Sequence, residues 1–345
     1  MLGPAVGVEL TDSGTRLAAA MRGPEETAGG VPGMRRWHTR LPAPPTAAEA
    51  VEHLHALIAR ALDESGQGVW GAASDEPAPG VAIGVALAGQ VDVARGVVRS
   101  MRLASGWDDF ALAAALAGRW GGPVALHTTT QAAALGEARV GAARGHSSLI
   151  YLLLGRSVSA ALIAGGHLWV GAHGRAGDLA HWLALPHGPR CACGIQGHLE
   201  PVASAQSLVR TMIGRAVDHP ESNAAMLGIS GGRAEAMSAE QVVRLASDGD
   251  PVAREVVEQA LEALAPALAN LVAAFDPDEL VLGGPLAGAG AGFLDPLAKR
   301  VAALCGPYTT PPPLLGGELE PAAALVGAVL RAEELAMQAQ EQVEA

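Results

Sequence analysis

Short apolar runs and amphipathic stretches alternate along the first half of the chain, and this pattern predicts an α/β fold. The apolar runs at residues 6–10 and 16–21, with a turn at 11–14 between them, predict a pair of strands. Apolar residues recur at helical spacing over 47–64, which predicts a helix capped by Thr46. The other elements predicted here are strands over 35–41, 80–89, 93–100 and 123–127 and helices over about 108–120 and 131–142.

A second cluster of apolar runs begins near residue 148 and again places strands before helices. The repeat predicts two α/β halves of similar build. The predicted elements are strands over 148–155, 157–166, 167–171 and 279–284, a helix over 251–275, a helix after the glycine-rich stretch 288–292, and a final helix from about Pro321.

Composition narrows the class of protein. Half of the 345 residues are apolar and only 3% are aromatic, which suits close helix–sheet packing and argues against disorder. The formal net charge of −12 disfavours nucleic acid as a partner, because phosphate contacts need a surface rich in lysine and arginine.

Targeting signals are not evident in the sequence. Residues 1–10 lack the basic and apolar segments of a secretory signal, and the apolar run at 148–155 is too short to span a bilayer. Three cysteines do not make a disulfide framework. We therefore expect a cytoplasmic protein without a membrane partner.

Two of the three cysteines lie in a short stretch with metal-ligand character. Cys191 and Cys193 are followed by His198, and His181 precedes them by ten positions. Two thiolates and two imidazoles make a complete tetrahedral zinc set, with His187 as a competing fourth ligand. The alternative is a pair of buried thiols beside surface histidines.

Longer stretches of the chain resemble the ROK family of bacterial sugar kinases and sugar-responsive repressors. Residues 171–204, GAHGRAGDLAHWLALPHGPRCACGIQGHLEPVAS, resemble its signature G-x-N-G-x-A-G-E-x-G-H followed by C-x-C-G-x-x-G-C-L-E. Residues 126–145 resemble its N-D-A-N-A-A-A-L-G-E segment, and 276–287 its nucleotide-side P-x-x-I-V-x-G-G segment. Residues 93–116 fit the segment around its sugar-contacting P-N-L.

This resemblance implies a two-domain actin/hexokinase-like (ribonuclease H-like) ATPase fold. The expected domains are a small one of residues 1–126 plus about 322–345 and a large one of 127–321 that carries a zinc loop. The resemblance also implies a homodimer and a structural zinc. The implied zinc ligands are His181, Cys191, Cys193 and His198, the last in place of a family cysteine.

The chain departs from the family where the resemblance places the catalytic base. The N-D-A-N segment supplies an asparagine on the sugar and the aspartate that acts as base, whereas this chain has Thr128 and Thr129 there. A hydroxyl does not accept a proton at neutral pH as a carboxylate does, so general-base catalysis worth on the order of 10²–10⁴ is expected to be lost. Strand alternation predicts that the neighbouring His127 points elsewhere.

The two phosphate loops of the family are also altered. Residues 9–15, ELTDSGT, retain Gly14 and Thr15 of D-x-G-G-T, with Glu9 or Asp12 as the acid. Residues 155–159, GRSVS, retain only Gly155 of G-T-G-x-G, and side chains at the lost glycines would crowd a phosphate. Binding of ATP and Mg²⁺ is therefore disfavoured, although the nucleotide-side pair Gly283 and Gly284 is retained.

The implied sugar side is kept in part. Asp178 and His181 correspond to the family's E-x-G-H, and Glu200 to the glutamate of C-L-E. Thr128 replaces the sugar-contacting asparagine, and Leu103 replaces the asparagine of P-N-L. Alternatively, Asp178 and Glu200 only orient zinc-ligating histidines.

Three functions follow from these patterns. The first is a catalytically inactive, kinase-like sensor or regulatory module that holds zinc and a sugar-like ligand. The second is an active ATP-dependent hexose kinase with an atypical base. The third is the effector core of a ROK transcriptional regulator, which the acidic charge and the absence of a helix–turn–helix pattern before the first strand disfavour.

Overall fold

A computed structural model describes most of the chain. The described residues are 4–11, 14–20, 27–28, 31–32, 34–39, 46–64, 80–101, 106–307 and 309–344.

The fold consists of two compact units, each built from more than one stretch of chain. Unit 1 comprises Met1–Arg144, Leu168–Ala176 and Pro321–Ala345. Unit 2 comprises Gly145–His167 and Gly177–Glu320. The first division therefore follows Arg144, whereas the sequence suggested a boundary after residue 126.

Unit 1 is built on a seven-stranded sheet of order β4-β3-β5-β2-β1-β6-β9. β1 pairs antiparallel with β2 and parallel with β6, and β6 pairs parallel with β9. A separate antiparallel hairpin is formed by β7 and β8. The strands are β1 (Ala5–Thr11), β2 (Gly14–Ala20), β3 (Thr27–Ala28), β4 (Val31–Pro32), β5 (Met34–Thr39), β6 (Val81–Leu87), β7 (Gly89–Asp92), β8 (Val97–Met101) and β9 (Gly121–Thr128).

Among the described residues, the helices of unit 1 are α1 (Ala47–Glu64), α2 (Leu112–Trp120), α3 (Thr129–Val140) and α10 (Ala323–Glu344). The predicted cap of α1 is confirmed, since the Thr46 hydroxyl accepts from the Glu49 amide at 3.3 Å. The last helix, α10, lies directly on β1 and β6. A Cβ at Gly7 or Gly84 would overlap with this helix, so glycine at these positions permits the close approach.

Unit 2 repeats the same core arrangement around a second sheet. β10 pairs antiparallel with β11 and parallel with β13, and β13 pairs parallel with β14. The predicted repeat of two similar α/β halves is thus confirmed. The strands of unit 2 are β10 (Leu149–Leu154), β11 (Val158–Ala164), β13 (Glu279–Gly283) and β14 (Leu314–Gly316). A short strand, β12 (His167–Trp169), follows β11 after a two-glycine turn, and the chain passes from unit 2 to unit 1 within it.

The helices of unit 2 cover its sheet with a core rich in alanine, valine and leucine. They are α4 (Glu200–Ala203), α5 (Ala205–Ala216), α6 (Pro220–Ile229), α7 (Ala239–Asp248), α8 (Pro251–Phe275) and α9 (Ala291–Cys305).

The predicted elements agree with the structure at the long helices and the apolar strands. The helices predicted over 47–64 and 251–275 have the observed bounds. The strand predicted over 93–100 is shorter, because residues 93–96 form the turn of the β7–β8 hairpin. The helix predicted from 108 begins at Leu112.

One helix among the described residues, α8, is long and apolar enough to cross a membrane by length and composition. Most of its side chains lie in the core of unit 2, as in the core helix of a globular domain.

Candidate functional site: a Cys/His cluster and two strand-end loops

The candidate metal loop of unit 2 is a compact structure held by its own backbone. After a 3₁₀ turn at Leu179–His181, the amides of Ala184 and Leu185 both donate to the carbonyl of Gly197, at 3.0 and 3.1 Å. Gly197 has a φ of 84°, and a Cβ there would overlap with the Leu185 carbonyl. Glycine at this position therefore lets the chain fold back on itself.

Folding of this loop brings four potential ligands together. The ligand atoms of His181, Cys191, Cys193 and His198 all lie within 4.8 Å of one another. Sγ of Cys193 is 3.2 Å from Nδ1 of His198. Two sulfur ligands of a tetrahedral zinc lie about 3.8 Å apart, so this set fits zinc after a small contraction.

Neighbouring groups suit the cluster to a cation. Asp178 Oδ2 lies 3.1 Å from Nδ1 of His181, which leaves Nε2 of that ring for a metal. Burial raises the pKa of the Cys191 thiol, and the nearby Glu200 carboxylate acts in the same direction. Zinc binding would release that proton and offset the cost of forming a buried thiolate. His187, the competing ligand, is not in the cluster.

Glu200 lies beside this loop and has a side-chain partner that the sequence did not suggest. The Ser157 hydroxyl donates to Oε2 of Glu200 in a short hydrogen bond. The Glu200 side chain is buried, and its backbone carbonyl accepts from Ser207 Oγ at 2.9 Å. The serine that replaces a phosphate-loop glycine is therefore tied to the implied sugar-side carboxylate.

The threonines predicted at the base position begin α3 in unit 1. The Thr128 side chain accepts from the Gln131 amide at 3.1 Å, and Gln131 Oε1 accepts from the Thr128 amide at 3.1 Å. This reciprocal pair is a capping box. Thr129 is the first residue of the helix and is half-buried.

His127 precedes these threonines and is buried in unit 1. Within the described part of the chain, neither ring nitrogen has a hydrogen-bond partner of good geometry, although the Gln131 side chain lies near the ring and favours its protonated form. Burial, with a contribution from the positive charge of Arg331, lowers the pKa of His127 to about 4. A neutral, enclosed imidazole of this kind belongs to the core of unit 1.

The first phosphate-loop segment lies at the β1–β2 turn. Gly14 has a φ of 135° and its carbonyl accepts from Thr11 Oγ1 at 3.1 Å, while Thr15 is buried. The buried Glu9 carboxylate forms an ion pair with Arg16. This arginine already neutralises the charge that a metal ion would otherwise meet. Asp12, the other candidate acid, lies outside the described residues, as does the sugar-side position Leu103.

The retained glycines of unit 2 lie at the ends of strands. Gly155 is at the tight β10–β11 turn, where its amide donates to the Ser157 carbonyl at 3.0 Å. Gly283 and Gly284 lie at the end of β13. The Gly284 amide donates to Glu320 Oε1 at 3.0 Å. Sequence reasoning did not single out Glu320, because its partner Gly284 lies 36 positions away in the chain.

Comparisons with known proteins agree with this architecture. The ROK family model matches residues 43–334. The glucokinase of Thermotoga maritima is 31% identical over 219 residues, which cover 64% of this chain and 68% of that protein. The DNA-binding transcriptional repressor Mlc of Escherichia coli is 28% identical over 204 residues, or 59% of this chain and 48% of the repressor.

A solved structure extends the similarity to nearly the whole chain. The crystal structure of a ROK family glucokinase from Streptomyces griseus, in complex with glucose and AMPPNP, matches with a TM-score of 0.75 and 28% identity. The match covers 96% of this chain and 100% of that one. The predicted actin/hexokinase-like fold is thereby confirmed. By sequence and by fold, the chain belongs to the ROK family.

Proposed function

We propose that this protein is a sugar-binding ROK module with a structural zinc that does not transfer phosphate. It acts as a sensor or regulatory protein. The observation that carries this proposal is the start of α3, where Thr129 stands at the position of the expected catalytic carboxylate. A threonine hydroxyl there has no appreciable basicity at neutral pH, and the buried His127 is enclosed in the core.

Contacts on the phosphate side support the same conclusion. Glu9, the described acid of the first loop, is paired with Arg16 and so is a poor ligand for Mg²⁺. In the second loop the Ser157 side chain is directed to Glu200. Both loops therefore carry side-chain interactions where a phosphate cradle needs open backbone amides.

The sugar side keeps polar groups that suit a hydroxyl-rich ligand. Glu200 offers a carboxylate that is buried and already oriented by Ser157. Asp178 and His181 of the same unit add further polar atoms, and His181 is shared with the metal cluster. Glucose bound to the S. griseus relative supports a hexose or amino sugar as the ligand class. We extend the proposal to a homodimer on the family resemblance.

Zinc has a supporting role in this proposal. The Cys/His cluster would hold the ion and fix the loop that leads into α4, whose first residue is Glu200. Structural zinc sites have all four positions filled by protein, and this donor set fills them. Elemental analysis of purified protein checks this part, with about one zinc per chain expected.

An active hexose kinase is the second candidate, and the 31% identity to a glucokinase favours it. The deciding experiment is ADP release from ATP and Mg²⁺ across hexoses, amino sugars and N-acetyl sugars. We expect no turnover above background for folded, zinc-loaded protein. Turnover by wild type that is lost when zinc is chelated would instead identify an active kinase whose catalytic base lies at another position.

Thr129→Asp is the informative companion variant. It restores a carboxylate at the start of α3, where an acidic residue also suits the helix dipole. A gain of turnover with this variant alone would show that the rest of the machinery is intact. No gain is expected if the phosphate side is also closed.

A further inference from the structure

At the carboxyl end of β13, the backbone already binds a carboxylate that belongs to the same chain. β10 and β13 are parallel neighbours, with Leu153 opposite Gly283, and their carboxyl ends share this edge. Ligands of open α/β sheets bind outside such carboxyl ends. Gly284 has a φ of 82° and follows directly after β13. Backbone amides at turns of this kind bind anions.

The anion at this amide is the Glu320 carboxylate. Its Oε1 accepts from the Gly284 amide at 3.0 Å and from the Tyr151 hydroxyl at 2.6 Å. A Cβ at Gly283 would be 2.5 Å from the same oxygen and would overlap with the Tyr151 hydroxyl. The two glycines, the tyrosine and the glutamate therefore form one close-packed group.

We propose that Glu320 is a specificity-determining residue that keeps phosphate away from this edge. A phosphate that accepted from the Gly284 amide would have to lie next to the Glu320 carboxylate or displace it, and like charges at such a separation repel. The edge instead suits a neutral or cationic ligand whose hydroxyl or amine groups donate to the carboxylate. This inference rests on the proposed function and adds a reason for it.

Glu320→Gln is the matching perturbation. Glutamine keeps the shape and an acceptor oxygen for both donors, so the local hydrogen bonds are retained while the charge is removed. Glu318→Gln is the control, because it removes the same charge from an exposed position two residues away. Binding of Mg·ADP and of adenosine to each protein is measured by isothermal titration calorimetry.

We expect Glu320→Gln to bind Mg·ADP at least about tenfold more tightly than wild type does, with adenosine unaffected. Glu318→Gln is expected to behave as wild type. Equal Mg·ADP affinity in wild type and Glu320→Gln, or an equal gain in Glu318→Gln, would overturn the assignment.

The same proteins separate this inference from the proposed function. Wild type that binds Mg·ADP tightly yet releases no ADP from ATP would overturn the role of Glu320 and leave the proposed function standing. Wild type that releases ADP in the presence of a hexose would overturn the proposed function itself.

Discussion

Replacing His127 with leucine is expected to remove an acid-sensitive contribution to the free energy of unfolding. The imidazole is buried and Arg331 adds a positive charge nearby, and these two effects outweigh the opposing contribution of the Gln131 side chain. Its pKa falls from 6.5 to about 4 on folding. The unfolded chain therefore binds a proton at a pH where the folded chain does not.

The sign and size of the effect follow from these two pKa values. Because the folded pKa is the lower one, stability is full above about pH 6.5 and is lost as the pH falls towards 4. The shift corresponds to about 3 kcal/mol in all, of which about 2 kcal/mol is lost by pH 5. A leucine at this position does not titrate, and it leaves no unpaired buried nitrogen.

Urea unfolding at pH 7.5 and pH 5.0 measures this contribution. The pH-dependent loss of unfolding free energy is expected to be about 2 kcal/mol smaller in His127→Leu than in wild type. His219→Gln, at an exposed position, is the control and is expected to match wild type. If His127→Leu loses as much stability as wild type between the two pH values, the inferred burial of a neutral imidazole is wrong.

Three further predictions concern the metal, the ligand and the helix cap. Cys193→Ser is expected to lower the zinc content far below one per chain by elemental analysis and to lower the melting temperature. Cys305→Ser, outside the cluster, is the control and is expected to keep its zinc and to melt closer to wild type. Ser157→Gly removes the hydrogen bond that orients Glu200 and is expected to weaken glucose binding by up to about tenfold in calorimetry; an unchanged Kd would contradict a role of Glu200 in the sugar site. Thr128→Ala is expected to cost about 1 kcal/mol in urea unfolding through loss of the α3 cap, and Thr128→Ser to cost little, so equal costs would contradict the capping role.

Local patterns were enough to predict the elements whose own sequence decides them. The helices at 47–64 and 251–275 carry long amphipathic repeats with capping residues, and their bounds were predicted correctly. Helices α5 to α7 were not delimited, because their apolar residues are sparse and their burial depends on α8. Tertiary packing, which a local pattern does not contain, decides such elements.

The candidate site divides in the same way. The Cys/His cluster was predicted because its ligands lie within eighteen residues and their chemistry is distinctive. The hydrogen bonds of Ser157 to Glu200 and of Gly284 to Glu320 join residues 43 and 36 positions apart, so no local sequence pattern predicts them. The sequence therefore predicted Glu200 as a sugar-side residue but not its hydrogen bond to Ser157.

Unit 1 contains both the first strand and the last helix of the chain, and this arrangement has a consequence for synthesis. The Arg16 guanidinium donates to the Pro321 carbonyl at 2.7 Å across 305 positions, and Gly7 packs against Val329. One apolar face of the unit 1 sheet therefore stays uncovered until residues 323–344 have been added and α10 has formed. Purified protein truncated after residue 322 is expected to be cleaved by protease in unit 1 and protected in unit 2, because only unit 1 then lacks one of its helices.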